Sequence, residues 1–162
     1  MVELSQLGSE KYSTCRLDDL PEPIECHSAI RTDIGLLYCG GYTNSGFSNN
    51  CFRLASNGSW IRYSPLQKAR SCFSMTHINT SLIAIGGQSH TYGVIRHTST
   101  KSYERIEFNQ ENQWKKGNLP FAIEDHCSVS INSTVVMIIG GEDYNLVSIL
   151  SNDNLNRMVI KV

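Results

Sequence analysis

The stretch Arg70–Gly87, RSCFSMTHINTSLIAIGG, runs from a polar start through two apolar segments split by Asn79-Thr80 and closes on a double glycine. Two other stretches of the same length end in the same way: Ile24–Gly41, IECHSAIRTDIGLLYCGG, and Glu124–Gly141, EDHCSVSINSTVVMIIGG. All three place a serine at one distance from their glycines, at Ser28, Ser74 and Ser128. Trp60 and Trp114 precede the next pairs, Gly86-Gly87 and Gly140-Gly141, by one identical interval, whereas Cys15 stands a single place closer to Gly40-Gly41. Fixed internal spacing of this kind marks a chain built from repeated supersecondary units.

The middle unit predicts four short strands. Cys72–Ile78 and Ser81–Ile85 form a hairpin about the Asn79-Thr80 turn. Lys101–Phe108 alternates with period two, and after a polar turn a fourth strand opens at Trp114. Glycine at the end of the second strand lets the chain leave the sheet at positive φ and lets a neighbouring backbone approach closely. A tryptophan near the fourth strand supplies apolar surface to pack between sheets, so Trp60 and Trp114 read as core residues. Four antiparallel strands per unit is the count of a propeller blade.

With LLYCGG, LIAIGG and VMIIGG closing the second strands, SYERIEF as a tyrosine-bearing third strand and a later tryptophan, the chain resembles kelch repeats over roughly Cys15 to Ser151. The resemblance implies an all-β, kelch-type β-propeller of about three four-stranded antiparallel blades, related to the galactose oxidase-like propellers. The expected divisions are an N-terminal segment 1–24 with an orphan outer strand around Tyr12–Arg16, a first blade 25–69, a second blade 70–124 and a third blade 125–162. The first unit departs from the pattern with Cys51-Phe52-Arg53-Leu54 in the third-strand place. The last has VSILSN and no tryptophan, so it is expected to be incomplete. Closed propellers have four to eight blades. Three units form an incomplete ring, whose open blade edges would invite self-association.

The interval from Gly86 to Gly140 exceeds that from Gly40 to Gly86 by eight, and the extra positions fall between Gly87 and Trp114. The insertion lies in Gln88–Thr100, QSHTYGVIRHTST, and insertions of this kind map to loops that commonly form a binding face. Tyr92 and Arg96 in this loop, with Arg31 and Arg70, are the candidate contact residues. Many kelch repeats also carry arginine where Arg70 stands.

A net charge of -1 without a basic block disfavours nucleic acid. No apolar stretch approaches a membrane span, and the start MVELSQLGSEKYSTC has no apolar export segment. The compartment stays open, with the cytoplasm favoured over the extracellular space. Three N-x-S/T sequons, at Asn57, Asn79 and Asn132, do not decide it, because two fall in turns that select asparagine anyway. None of the six cysteines has C-x-x-C spacing, so no metal site is expected. Cys39 and Cys51 flank the loop between neighbouring strands, where a disulfide is geometrically reasonable in an oxidising compartment. Cys26 and Cys72 occupy the same repeat position, which suggests small packed side chains. His126 adjoins Asp125 and Cys127, but neighbours on a strand face opposite ways and cannot act together as nucleophile and base.

The sequence therefore suggests a noncatalytic scaffold that binds a protein partner through inter-strand loops, with no cofactor. A fragment of a propeller enzyme, or of a secreted carbohydrate-binding propeller, is the alternative.

Overall fold

A computed structural model of the chain describes residues 17–90, 98–108, 113–141, 146–151 and 159–161. All regular elements among these residues are β-strands, and three antiparallel four-stranded sheets account for most of them. In the first, β1 (Ser28–Thr32) and β2 (Gly35–Cys39) form a hairpin. A two-residue ladder of β3 (Tyr42–Thr43) with β4 (Gly46–Phe47) follows, and β5 (Cys51–Leu54) and β6 (Trp60–Tyr63) complete the order β1-β2-β5-β6.

The second sheet repeats the plan with β7 (Ser74–Ile78) and β8 (Ser81–Ile85), a ladder of β9 (Gln88–Ser89) with β10 (Thr98–Ser99), then β11 (Ser102–Glu107) and β12 (Lys115–Asn118). The third comprises β13 (His126–Asn132), β14 (Val135–Gly140), β15 (Leu146–Ser151) and β16 (Val159–Lys161). Its fourth strand is short: β16 pairs with β15 in the register Val147 to Ile160, and β-branched residue types suit a strand there without a tryptophan. The expected orphan strand around Tyr12–Arg16 lies outside the described residues.

Burial explains why the middle sheet is apolar on both faces. All five residues of β8 are buried, and the pleat sends them alternately to two cores. Leu82 and Ala84 pack with Leu37, Cys39, Phe73, Ile106 and Trp114 against the first sheet. Ile83 and Ile85 pack with Ile123, Val136 and Ile138 against the third. Burying one such Leu or Ile stabilises the fold by about 1.5–3 kcal/mol. Trp114 is 1% exposed and donates its indole N–H to the Ser64 carbonyl at 2.9 Å. Trp60 is only half-buried, stacked edge-on against Tyr38 with ring centroids 5.1 Å apart. Cys39 and Cys51, register partners across β2 and β5, are joined by a disulfide.

The sheets meet through the same main-chain mesh at both junctions. Gly41 N–H donates to the Arg70 carbonyl at 2.8 Å, and Gly87 N–H donates to the Ile123 carbonyl, also at 2.8 Å. Glycine is required there twice over. Gly40 and Gly86 have φ of 61° and 62°. A Cβ on Gly40 would stand 2.6 Å from the Arg70 carbonyl oxygen and the Phe73 ring, and one on Gly86 would overlap the Ile123 carbonyl oxygen. Gly140, with φ of 75°, has no neighbouring atom within 4 Å of that position.

The equal spacing of the three serines does not carry through to equal register. Ser28 pairs with Cys39 and Ser74 with Ile85, each the residue just before a double glycine, but in the third sheet that partner is Cys127, paired with Ile139. An irregularity between Ser130 and Asn132 inserts one residue into β13, so Ser128 sits one place too far along.

Candidate binding face

The loops entering the first strands and the short ladders that follow the glycine pairs border one another. Glu25 and Tyr42 exchange backbone hydrogen bonds of 3.0 and 2.8 Å, and Ser71 and Gln88 do the same at 3.1 and 2.8 Å. The Phe47 ring of the first ladder meets the His90 ring beyond β9 edge-on, 5.0 Å between centroids. A cavity of about 540 Å³ opens here, lined by Pro23, Ile24, Glu25, Tyr42, Thr43 and Asn44. That volume lies in the range of small-ligand clefts.

Beside the cavity runs a row of three equivalent residues, one per sheet. Cys72 N–H donates to the Cys26 carbonyl at 2.9 Å, and Asp125 N–H donates to the Cys72 carbonyl at 3.0 Å. All three adopt the left-handed conformation, with φ of 52°, 53° and 51°. Such values are uncommon for residues with a Cβ and persist only where the surroundings impose them. Cys26 and Asp125 are exposed and Cys72 is half-buried. The expectation that Cys26 and Cys72 are packed core side chains is thereby corrected: the left-handed turn holds them at the sheet junction, outside both apolar clusters.

The row has its own electrostatics. Burial pushes the Cys72 thiol up to about 12, the Ser71 hydroxyl opposes the rise, and the Cys26 thiol and the Asp125 carboxyl add to it. One residue further, His126 is buried and its pKa falls to about 4, with burial as the cause and the Asp125 charge opposing. Its Nε2 shares a 2.8 Å hydrogen bond with the Ser74 hydroxyl across the junction, and its Nδ1 has no partner among the described residues. His126 takes the place in the third sheet that Phe73 takes in the second: each ring packs beneath the preceding glycine, Phe73 under Gly40 and His126 under Gly86.

Arg70 is not a contact residue. It is 0% exposed, and its guanidinium donates to the Gly86 carbonyl at 2.7 Å, the Ser102 carbonyl at 3.0 Å and the Ser102 hydroxyl at 3.1 Å. It also pairs with the Glu104 carboxylate at 2.8 Å. Glu104 in turn accepts the backbone N–H groups of Gln67 and Lys68 at 2.6 and 3.0 Å. A charge in this position ties the segment between two sheets to the end of β8, which is a structural task with no surface to offer a partner.

Arg31 is exposed near the far end of β1, and its carbonyl bonds His77 Nε2 at 2.9 Å. The fold does not bring it to the row. Tyr92 and Arg96 lie outside the described residues, although Gln88–Ser89 and Thr98–Ser99, which bracket them, pair as β9 and β10 beside the row. Sequence reasoning missed Glu104 and the equivalence of Asp125 to Cys26 and Cys72. Glu104 carried a signal, an acid at an inward place in an alternating strand, while the extra residue in β13 hid Asp125. Among the described residues, no group of three or more His, Cys, Asp or Glu side chains is arranged to hold a metal ion. In comparisons with known proteins, no family model and no curated protein matches the chain.

Proposed function

We propose that the chain is a noncatalytic interaction scaffold of the kelch-type propeller kind, its three sheets being consecutive blades and its partner a protein held by the loops beside the Cys26–Cys72–Asp125 row. The observation that carries this reading is the repeated junction. Two successive sheets dock on their predecessors through the same glycine-to-carbonyl bond of 2.8 Å, with the same left-handed residue at each entry. Docking by a constant operation generates a ring or an arc and presents equivalent loops on one side, while the cores hold those loops rigidly. The outer face of the third sheet, with Val129, Ile131 and Ile139 each 43–51% exposed, is the surface on which a further sheet, or a second chain, would continue the series.

The Cys39–Cys51 disulfide favours a second reading, a secreted carbohydrate-binding propeller, because such bonds persist in oxidising compartments. Affinity capture with the wild-type chain and two variants separates the readings. Under the scaffold reading, Tyr92→Ala with Arg96→Ala loses a specific bound protein at unchanged melting temperature, whereas Asn57→Ala in the β5–β6 turn retains it. Equal capture by all three, or loss only on adding free sugars, contradicts the scaffold reading.

A further inference from the structure

Cys26 and Cys72 are free thiols on adjacent sheets, in a molecule whose Cys39–Cys51 pair is already oxidised. Their backbones are joined by the 2.9 Å bond from Cys72 N–H to the Cys26 carbonyl. With standard backbone dimensions, such a bond holds the two α-carbons no more than about 6 Å apart. A disulfide spans α-carbon separations of that size. The two residues share one local conformation, φ of 52° and 53°, at equivalent entries to equivalent strands. Cys26 is open to a soluble reagent, and its thiol is among the groups that raise the Cys72 pKa.

We propose that Cys26 and Cys72 form a redox modification site, a dithiol that a low-molecular-weight disulfide such as oxidised glutathione converts to an inter-sheet disulfide at the edge of the binding face. The exposed Cys26 thiolate attacks the reagent's sulfur–sulfur bond, which breaks and releases one glutathione thiol, leaving a mixed disulfide on Cys26. The Cys72 thiol then gives its proton to solvent and attacks Cys26 Sγ. The Cys26–Cys72 bond forms as the second glutathione leaves. Two protein thiols lose two electrons in all, and the reagent's disulfide gains them. The second step is the slow one, since a thiolate is the nucleophile and burial disfavours it at Cys72. Besides burial, the Ser71 hydroxyl, the Cys26 thiol and the Asp125 carboxyl act on it. Replacing the carboxylate by Asp125→Asn therefore accelerates closure.

The product ties the first sheet to the second just where the entry loops and the Glu25–Tyr42 contact define the cavity. Oxidation would thus fix the spacing of two loops on the proposed contact surface, but the modification stands whether or not that surface binds a protein.

The test exposes the full chain to oxidised glutathione, quenches by alkylation and digests it with trypsin without reduction. Cys26 then lies in Leu17–Arg31 and Cys72 in Ser71–Arg96, separate from the peptide holding Cys39 and Cys51 and from that holding Cys127. The expected result is a Leu17–Arg31 to Ser71–Arg96 crosslink that forms at least ten-fold faster in the folded chain than in urea. Cys127→Ser should retain it, and Cys26→Ser or Cys72→Ser should abolish it. A stable glutathione adduct on Cys26 without closure, a crosslink from Cys26 to another cysteine, or equal rates in folded and unfolded chains would each overturn the proposal. Circular dichroism of every variant separates loss of the crosslink from loss of the fold.

Discussion

Acidification from pH 7 to pH 5 should remove about 2 kcal/mol of stability through His126, by linkage between proton binding and unfolding. Unfolded, the imidazole titrates at its ordinary value of 6.5; folded, it does so at about 4, because burial disfavours the imidazolium. Between those two values the unfolded chain binds the extra proton, so stability falls as the pH drops through the window. At 1.36 kcal/mol for each pKa unit, the separation is worth about 3 kcal/mol once the pH lies below both values. At pH 5 about 2 kcal/mol has already gone, and at pH 7 almost none. The opposing Asp125 charge is part of the folded value. The comparison variant is His126→Phe, since Phe73 fills the equivalent place under Gly40. Urea unfolding followed by tryptophan fluorescence at pH 7, 6 and 5 reads the difference directly. The variant should be weaker at pH 7 by about 1 kcal/mol for the lost Ser74 hydrogen bond, and its deficit should vanish or reverse by pH 5. Parallel pH profiles for the two proteins would refute the assignment of this slope to His126.

Arg70→Met alone strands the Glu104 carboxylate in the core and should cost about 3–5 kcal/mol, while Arg70→Met with Glu104→Leu should recover much of it in urea midpoints. Gly140→Ala should cost only about 1–2 kcal/mol of left-handed strain, whereas Gly86→Ala adds a main-chain collision and should unfold the chain at a distinctly lower temperature in calorimetry. Reducing the Cys39–Cys51 bond, which joins cysteines at a sequence separation of 12, should lower stability by about 3 kcal/mol in chemical denaturation, read against Cys39→Ser with Cys51→Ser. Val129→Lys with Ile131→Lys should lower the sedimentation-measured association of the chain while leaving its melting temperature within a few degrees, because both side chains are half exposed.

The strands were legible because their signals are local. Alternation in SYERIEF, the Asn79-Thr80 turn and glycines at positive φ depend on nearest neighbours, and β7, β8 and β11 fall within a residue or two of expectation. The site was less legible because it depends on what one unit places against the next. Arg70 read as a contact residue at the start of a first strand, whereas its burial rests on distant partners, the Glu104 carboxylate 34 positions away together with the Gly86 and Ser102 carbonyls and the Ser102 hydroxyl. Asp125 was hidden by the single inserted residue in β13. The position of the short last strand was not legible because it lacks the tryptophan of the earlier units, and its ladder requires only main-chain donors and acceptors.

The main-chain character of the sheet junctions has a consequence for what can change in this molecule. Docking uses N–H and C=O groups of residues 26, 72 and 125, so their side chains are spectators to assembly, and two cysteines and an aspartate already occupy one backbone slot with nearly identical φ values. Asparagine and aspartate suit that conformation best among residues with a Cβ. The row thus behaves as an editable strip: its chemistry can be rewritten one position at a time, with small polar side chains, while the architecture beneath it stays as it is.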